Sequence, residues 1–159
     1  MNIPVFLSDG LNSQHLSLPE IIRGLSEKQV SWNPQPGKWS IRDNIAHLAR
    51  YERIFIDRMN TILSVDGPIF EAYRAENDLE FVNWLSKGCD ELIRELNIDR
   101  KTLTSLIVNL TEKDLQRRGR HPKFGNLTIL NWTEFFLLHE AHHLFTVFRL
   151  AHGGELPSQ

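Results

Sequence analysis

The sequence predicts an all-α protein folded as an up-down four-helix bundle, and three observations carry this prediction. Apolar residues recur at helical spacing in four segments of the chain. No segment shows the alternation of apolar and polar residues that marks a half-buried strand. Two stretches rich in proline and glycine, residues 31–39 and 119–126, are the expected loops. Because no repeat or linker interrupts the 159 residues, a single domain over residues 1–159 is expected.

The first two helices are predicted from apolar spacing and a capping signal. The first lies within Leu7–Leu25, where Pro19 indicates a kink or a fresh start. The second begins after Ser40, an N-cap residue that Asp43 can answer in a capping box, and it closes before Gly67-Pro68. Its predicted core stripe consists of Ile41, Ile45, Leu48, Phe55, Met59 and Ile62.

The last two helices are longer and more apolar. A third helical stretch is expected from about Asp78 to Leu110, and Asn97 to Asp99 can mark a kink in it. The fourth is predicted to start after Thr128 and to reach about Ala151, before Gly153-Gly154. It is apolar almost all round, which is typical of a helix buried at the centre of a bundle or shared with a second subunit.

Composition and charge exclude several classes of protein. Hydrophobic residues make up 41% and charged residues 24%, which is typical of a folded globular chain. The net charge of −2 gives no basic face for nucleic acid, and no apolar run approaches the roughly 18–20 residues that span a bilayer. The first residues lack the basic start and apolar core of a signal peptide. With Cys89 as the single cysteine, a cytoplasmic location is expected.

The strongest chemical signal is a pair of histidines on the fourth helix. His139 and His143 are four residues apart, which places them about 40° apart around a helix, so their imidazoles can converge on one metal ion. The competing interpretation is two core histidines held by hydrogen bonds. The same string fits the H-E-x-x-H pattern of zinc proteases. However, Thr146 and Arg149 stand where the extended motif requires Gly and His, and the strands of a protease sheet are not predicted.

A third metal ligand must then come from upstream in the chain. His15 lies in the first segment, where the helical pattern is weakest. His121 lies in a loop, and His142 points to a different face of the fourth helix. His47 lies beside the core stripe of the second helix. It is the best candidate, because bundles build such sites from residues on facing helices.

These motifs together resemble the DinB/YfiT-like superfamily. The resemblance spans about residues 15–152 and rests on three strings: Pro36-Gly37-Lys38-Trp39-Ser40-Ile41-Arg42-Asp43 with His47-Leu48 and Glu52, His121-Pro122-Lys123-Phe124-Gly125-Asn126-Leu127-Thr128, and His139-Glu140-Ala141-His142-His143. It implies a four-helix bundle, often dimeric, and a divalent metal ion, commonly nickel or zinc, bound by three histidines. Matched residue by residue, those ligands are His47, His139 and His143.

A site of three histidines predicts an open coordination position, as in catalytic zinc sites. A water or a low-molecular-weight thiol loses its proton more easily there. The expected activity is therefore hydrolysis of a small electrophile or S-transfer to it. For characterised members, the resemblance implies S-transfer with bacillithiol, mycothiol or glutathione. A small-molecule substrate and a homodimer are expected, without nucleic acid or membrane. The competing hypothesis is a non-catalytic, stress-associated metal-binding bundle.

Five further residues have candidate roles. Glu140 can assist the chemistry, or it can be a solvated or inter-subunit acid. Glu52 falls inside an apolar stripe, so it either orients a ligand imidazole or forms a buried salt bridge, for example to Arg53 or Arg149. Tyr51 can line the pocket, Cys89 is interpreted as an inert core thiol, and Trp39 is interpreted as a packing anchor rather than a substrate platform.

Overall fold

The computed structural model describes residues 3–154 and 156–158 and shows a four-helix bundle, which confirms the predicted fold. The helices in chain order are α1 (Val5–Ser13), α2 (Leu18–Ile21), α3 (Glu27–Val30), α4 (Ile41–Ser64), α5 (Phe81–Leu85), α6 (Cys89–Val108), α7 (Glu112–Leu115) and α8 (Ile129–His152). Two 3-10 turns, Gln14–Ser17 and Ala75–Asn77, and two strands, β1 (Arg118–His121) and β2 (Gly125–Thr128), complete the described elements.

The bundle brings α4 and α8 side by side. Both α1 and α4 pack on α6 and on α8, so α1 and α4 occupy opposite corners. Buried apolar side chains from all four helices fill the centre, among them Leu11, Phe55, Leu103 and Trp132. Because α4 and α8 are neighbours, an inward-facing residue near the start of α4 can meet inward-facing residues of α8.

Capping hydrogen bonds fix the starts of these two helices where the sequence predicts them. The Ser40 hydroxyl accepts from the backbone N–H of Asp43 at 3.1 Å, and the Asp43 carboxylate accepts from the Ser40 N–H at 2.9 Å. Thr128 caps α8 by accepting from the N–H of Asn131 at 3.2 Å. A fixed start sets the phase of the helix and therefore which residues face the core.

The predicted third helix is in fact two helices. The first of them, α5, ends at Leu85, and α6 begins at Cys89 after the extended N-cap residue Gly88. Glycine is a poor helix former, so Gly88 favours a break. The apolar spacing continues on both sides of it and therefore hid the break. In contrast, α6 continues through Asn97 to Asp99, where a kink was considered.

The loop predicted over residues 119–126 is a β-hairpin. Strands β1 and β2 pair antiparallel, with Arg118 opposite Thr128. The expectation of no strands was wrong here, because the first strand contains no large apolar residue and the second contains one, so neither shows an alternation. Contacts with the bundle support the hairpin. The Trp132 indole donates to the Gly119 carbonyl at 3.2 Å, and a Cβ at Gly119 would lie only 2.8–2.9 Å from Phe70 and Ile62.

One face of α8 is exposed. Leu138 and Phe145 are 71% and 62% exposed, so α8 is not buried all round within this chain. That a second subunit covers this face stays a prediction. Among the described residues, every helix is too short or too polar to cross a membrane.

Candidate metal centre

Three histidines from two neighbouring helices converge at one point in the bundle. His47 comes from α4, and His139 and His143 come from successive turns of α8. The Nε2 atoms of His47 and His139 lie 3.1 Å apart, and one nitrogen from each of the three rings falls within 4.8 Å of the other two. The structure therefore brings together all three residues that the sequence selects; their binding of a metal stays a prediction.

Burial keeps all three rings neutral. It lowers the pKa of His47 to about 2, and the neighbouring His143 and His139 lower it further. For the same primary reason, the pKa of His139 falls to about 4 and that of His143 to about 3. At neutral pH each imidazole therefore keeps one lone pair, which is the form that binds a metal ion.

Asn44 sets the tautomer of His143. The Nδ1–H of His143 donates to Oδ1 of Asn44 at 2.8 Å, while Nδ2 of Asn44 donates to the Ser40 carbonyl at 2.8 Å. The second bond fixes the amide so that its oxygen faces His143. The ring proton then sits on Nδ1, and Nε2 of His143 carries the free lone pair. The sequence analysis missed Asn44; its signal was a polar residue on the buried face of α4, three residues before His47.

The donor set fits a divalent transition-metal ion. Two nitrogens bound to one tetrahedral zinc at 2.0–2.1 Å lie about 3.3 Å apart, close to the 3.1 Å between His47 and His139. Imidazole nitrogens suit zinc, nickel, copper and iron better than magnesium or calcium. Among the described residues no fourth His, Cys, Asp or Glu joins the cluster, so three protein ligands would leave a position open.

Aromatic rings pack around the cluster. Ring centroids of Trp39 and Tyr73 lie 5.0 and 5.6 Å from that of His47, and Tyr51 lies 4.5 Å from His139. The Tyr51 hydroxyl accepts from the buried guanidinium of Arg58 at 3.2 Å. Tyr51 thus lies against the site, as predicted, and Trp39 packs against a candidate ligand as well as anchoring its loop.

The two acids near the histidines have a partner that the sequence analysis did not identify. Glu52 pairs neither with an imidazole nor with Arg53 or Arg149; instead it accepts from Nε of Arg100 on α6 at 3.0 Å and also from Nη2. The same Nη2 donates to Glu140. Glu140 is only 1% exposed, so the alternative of a solvated acid was wrong.

Arg100 therefore ties together the helices that carry the triad. It joins α4 through Glu52 and α8 through Glu140, the residue that follows His139. Burial raises the pKa of Glu52 to about 7, although Arg100 acts in the opposite direction. The sequence contained a signal for this pairing, because Arg100 interrupts the apolar stripe of α6 between Leu96 and Leu103.

None of the remaining histidines in the described part of the chain joins the cluster, nor does the cysteine, although the His142 ring lies 5.3 Å from that of His143. His15 is buried and accepts from Nη1 of Arg100 at 3.0 Å. His121 accepts from two backbone N–H groups of its own turn, and His142 is exposed. Cys89 is buried, and burial raises its pKa to about 11, which agrees with its interpretation as an inert core thiol.

The sequence profile of the DinB superfamily matches residues 14–147. This chain belongs to the DinB superfamily. The match covers all three histidines of the cluster and most of the bundle, and it confirms the family resemblance read from the motifs.

Relatives and solved structures agree with this membership. The protein YuaE of Bacillus subtilis (strain 168) is 29% identical over 147 residues, which cover 84% of this chain and 90% of YuaE. A protein of Oceanobacillus iheyensis that bears the name "putative metal-dependent hydrolase" is 22% identical over 131 residues, covering 80% of this chain and 76% of the relative. The structure of YfiT from Bacillus subtilis, titled "a probable metal-dependent hydrolase with an unusual four-helix bundle topology", has a TM-score of 0.80 at 20% identity. It covers 94% of this chain and 86% of YfiT, which shows a shared fold.

Proposed function

We propose that this DinB-superfamily protein is a divalent-metal-dependent hydrolase of small molecules, with His47, His139 and His143 as the metal ligands. The observation that carries the proposal is the convergence of three neutral imidazoles from α4 and α8 within 4.8 Å. The name of the Oceanobacillus relative supports hydrolysis rather than the S-transfer considered from the sequence. Zinc or nickel fits the nitrogen donors best.

When bound, the metal would supply Lewis-acid chemistry, polarising a carbonyl and making a water easier to deprotonate. The protein's own side chains prepare the site for it. Asn44 holds the proton of His143 on Nδ1 and leaves Nε2 available. The rings of Trp39, Tyr51 and Tyr73 pack against His47, which is buried. Arg100 fixes α8 against α4, and with it the positions of the ligands.

Metal content tests the ligand assignment. Purified protein is loaded with zinc or nickel, desalted and measured by elemental analysis, with about one ion per chain expected from one three-nitrogen site. The His143→Ala variant should lose most of the metal, since two ligands hold an ion poorly. His142→Ala is the matched control, because it removes the adjacent, exposed histidine of the same helix. Full occupancy in His143→Ala, or no uptake by the wild-type protein, would contradict the assignment.

Activity is tested on the loaded protein with a panel of small esters and amides, with and without glutathione or bacillithiol. Hydrolysis predicts product release that is independent of the thiol and that is lost in His143→Ala. Product formation that consumes thiol would contradict hydrolysis and support S-transfer instead. Full metal content without turnover across the panel would support the non-catalytic metal-binding bundle instead.

A further inference from the structure

A groove leads away from the histidine cluster along the second half of α8. It has a volume of about 780 Å³, and His143 and Asn44 line it where it meets the cluster. One wall is α8, and the other is the loop that carries Trp32, Lys38 and Trp39. We call this cavity the α8 groove.

The α8 groove extends from the histidine cluster toward Arg149. His143, Thr146 and Arg149 all line it, and each lies about 60° around the helix from the one before, so the groove follows α8 obliquely. Arg149 lies six positions after His143, which corresponds to about 9 Å along the helix axis. A molecule in the groove can therefore reach the histidine cluster with one end while its other end lies beside Arg149.

The described Lys, Arg, Asp and Glu side chains that line the α8 groove carry charge of one sign only. Lys38 and Arg149 both line it, and none of the described lining residues is an aspartate or glutamate. Among the described residues neither cation forms a salt bridge, whereas six other Arg and Lys side chains in the chain do. Two cations that face a cavity without an acidic partner favour an anion there, and arginine in particular matches carboxylate and phosphate groups.

Apolar side chains form part of the remaining walls. Trp32 and Trp39 line the loop side, and Phe148 lines the helix side although it is 48% exposed to solvent. Aromatic walls with a few placed polar groups are typical of sites for small organic ligands. They indicate a ligand whose body is apolar or aromatic and whose charge is confined to one end.

We propose that the α8 groove binds a small organic anion. Its anionic group lies between Lys38 and Arg149, its apolar body lies against Trp32, Trp39 and Phe148, and its far end points to the histidine cluster. This inference rests on the proposed function and names its substrate class: a molecule with a hydrolysable bond about 9 Å from a carboxylate or phosphate, measured along α8.

The test uses 4-phenylbutyrate as the probe and the neutral 4-phenylbutanamide as its matched partner. Both are titrated into ¹⁵N-labelled full-length protein, metal-free and zinc-loaded, and the indole N–H signals are followed by NMR. The chain has four tryptophans, of which Trp32 and Trp39 line the groove while Trp84 and Trp132 are buried elsewhere. The carboxylate should shift the signals of Trp32 and Trp39 and leave the other two in place.

Variants then remove positive charge from the groove and, as a control, from a position away from it. Lys38→Gln with Arg149→Gln should weaken 4-phenylbutyrate at least about tenfold, since hydrogen bonds to charged groups are lost, and should leave the amide unchanged. Lys113→Gln, at an exposed residue of α7, is the control and should bind like the wild type. Equal affinity for acid and amide, equal affinity in the double variant, or shifts at Trp84 and Trp132 would each overturn the proposal. So would the absence of any shift.

The two proposals fail separately in these experiments. Protein that takes up zinc but does not prefer the anion overturns the groove assignment and leaves the metal site standing. Protein that binds the anion at Trp32 and Trp39 but takes up no metal overturns the proposed function and leaves the anion site standing.

Discussion

Nδ1 of His143 lies 2.8 Å from Oδ1 of Asn44, and this contact decides which nitrogen of the ring can face a metal ion. Both residues lie on the inner faces of their helices, Asn44 on α4 and His143 on α8. The hydrogen bond therefore links the two helices that form the candidate site. It also orients a candidate ligand from outside the cluster, as partners of metal-bound histidines commonly do.

Replacing Asn44 should weaken metal binding without removing a ligand. Asn44→Leu takes away the acceptor for His143 and should lower zinc affinity by about 10–100-fold. Asn44→Asp keeps an oxygen acceptor at that position and should retain more of the affinity. Competition with a chromogenic chelator measures both variants, with urea unfolding of the metal-free proteins as the control for stability. Wild-type zinc affinity in Asn44→Leu would show that this contact does not orient the ligand.

Arg100 should be among the most sensitive positions for stability. Arg100→Met leaves the buried carboxylates of Glu52 and Glu140 without their cation and should lower the free energy of unfolding by about 3–5 kcal/mol. Adding Glu52→Gln should restore part of this loss, because one unpaired charge disappears. The matched control is Arg23→Met, an exposed arginine paired with Glu20, for which a change of about 0–1 kcal/mol is expected.

Urea unfolding of the metal-free variants measures these differences. Equal effects of Arg100→Met and Arg23→Met would contradict the view that the buried pair stabilises the bundle. If Arg100→Met does not fold, recovery of a folded protein on adding Glu52→Gln carries the same information.

His15 should make stability depend on pH. Burial, with a further contribution from Arg100, lowers its pKa from the ordinary 6.5 to about 4 in the folded protein. Between these values the unfolded chain binds the proton and the folded chain does not, so acid favours unfolding. The contribution of His15 to stability therefore falls as pH drops from about 6.5 to about 4.

The variant His15→Gln isolates this contribution. It keeps a hydrogen-bond acceptor for Arg100 but does not titrate. The free energy of unfolding, measured by urea titration across this pH range, should decrease less steeply in the variant than in the wild type. Identical slopes would show that His15 titrates alike in the folded and unfolded chains.

A side chain at Gly119 should destabilise the protein at the hairpin. In Gly119→Ala the new Cβ would lie 2.8 Å from Phe70 and 2.9 Å from Ile62, so the core beneath the hairpin has to shift. A loss of about 1–3 kcal/mol in the free energy of unfolding is expected. The control is Gly88→Ala, where nothing lies within 4 Å of the new Cβ and the change should stay below about 1 kcal/mol. Equal effects would contradict the steric argument.

Local signals predicted much of the fold. Capping residues act within three positions in the chain, so Ser40 and Thr128 marked the starts of α4 and α8 correctly. Prediction from local sequence failed where contacts with distant parts of the chain decide the structure. The hairpin depends on Trp132 and Phe70, neither of which belongs to it. The break at Gly88 is different, because its signal was local, the glycine itself, and the apolar spacing on both sides hid it.

The candidate site was predicted only in part for the same reason. Spacing along one helix predicted His139 and His143, and a position beside the core stripe of the second helix selected His47. The partners of the acids could not be found in this way, because Glu52 and Arg100 are 48 positions apart and meet only when α4 packs on α6. Asn44 and His143 are 99 positions apart and meet only when α4 packs on α8.

By itself, the sequence determined that the chain forms long amphipathic helices and that three imidazoles lie on their inward faces, since helical periodicity is a property of neighbouring residues. The tertiary structure decided which nitrogen of His143 is free, that Arg100 holds both buried acids, and that Lys38 and Arg149 line the groove beside the cluster. These features depend on distances between residues far apart in the chain, and only the packing of helix on helix sets such distances.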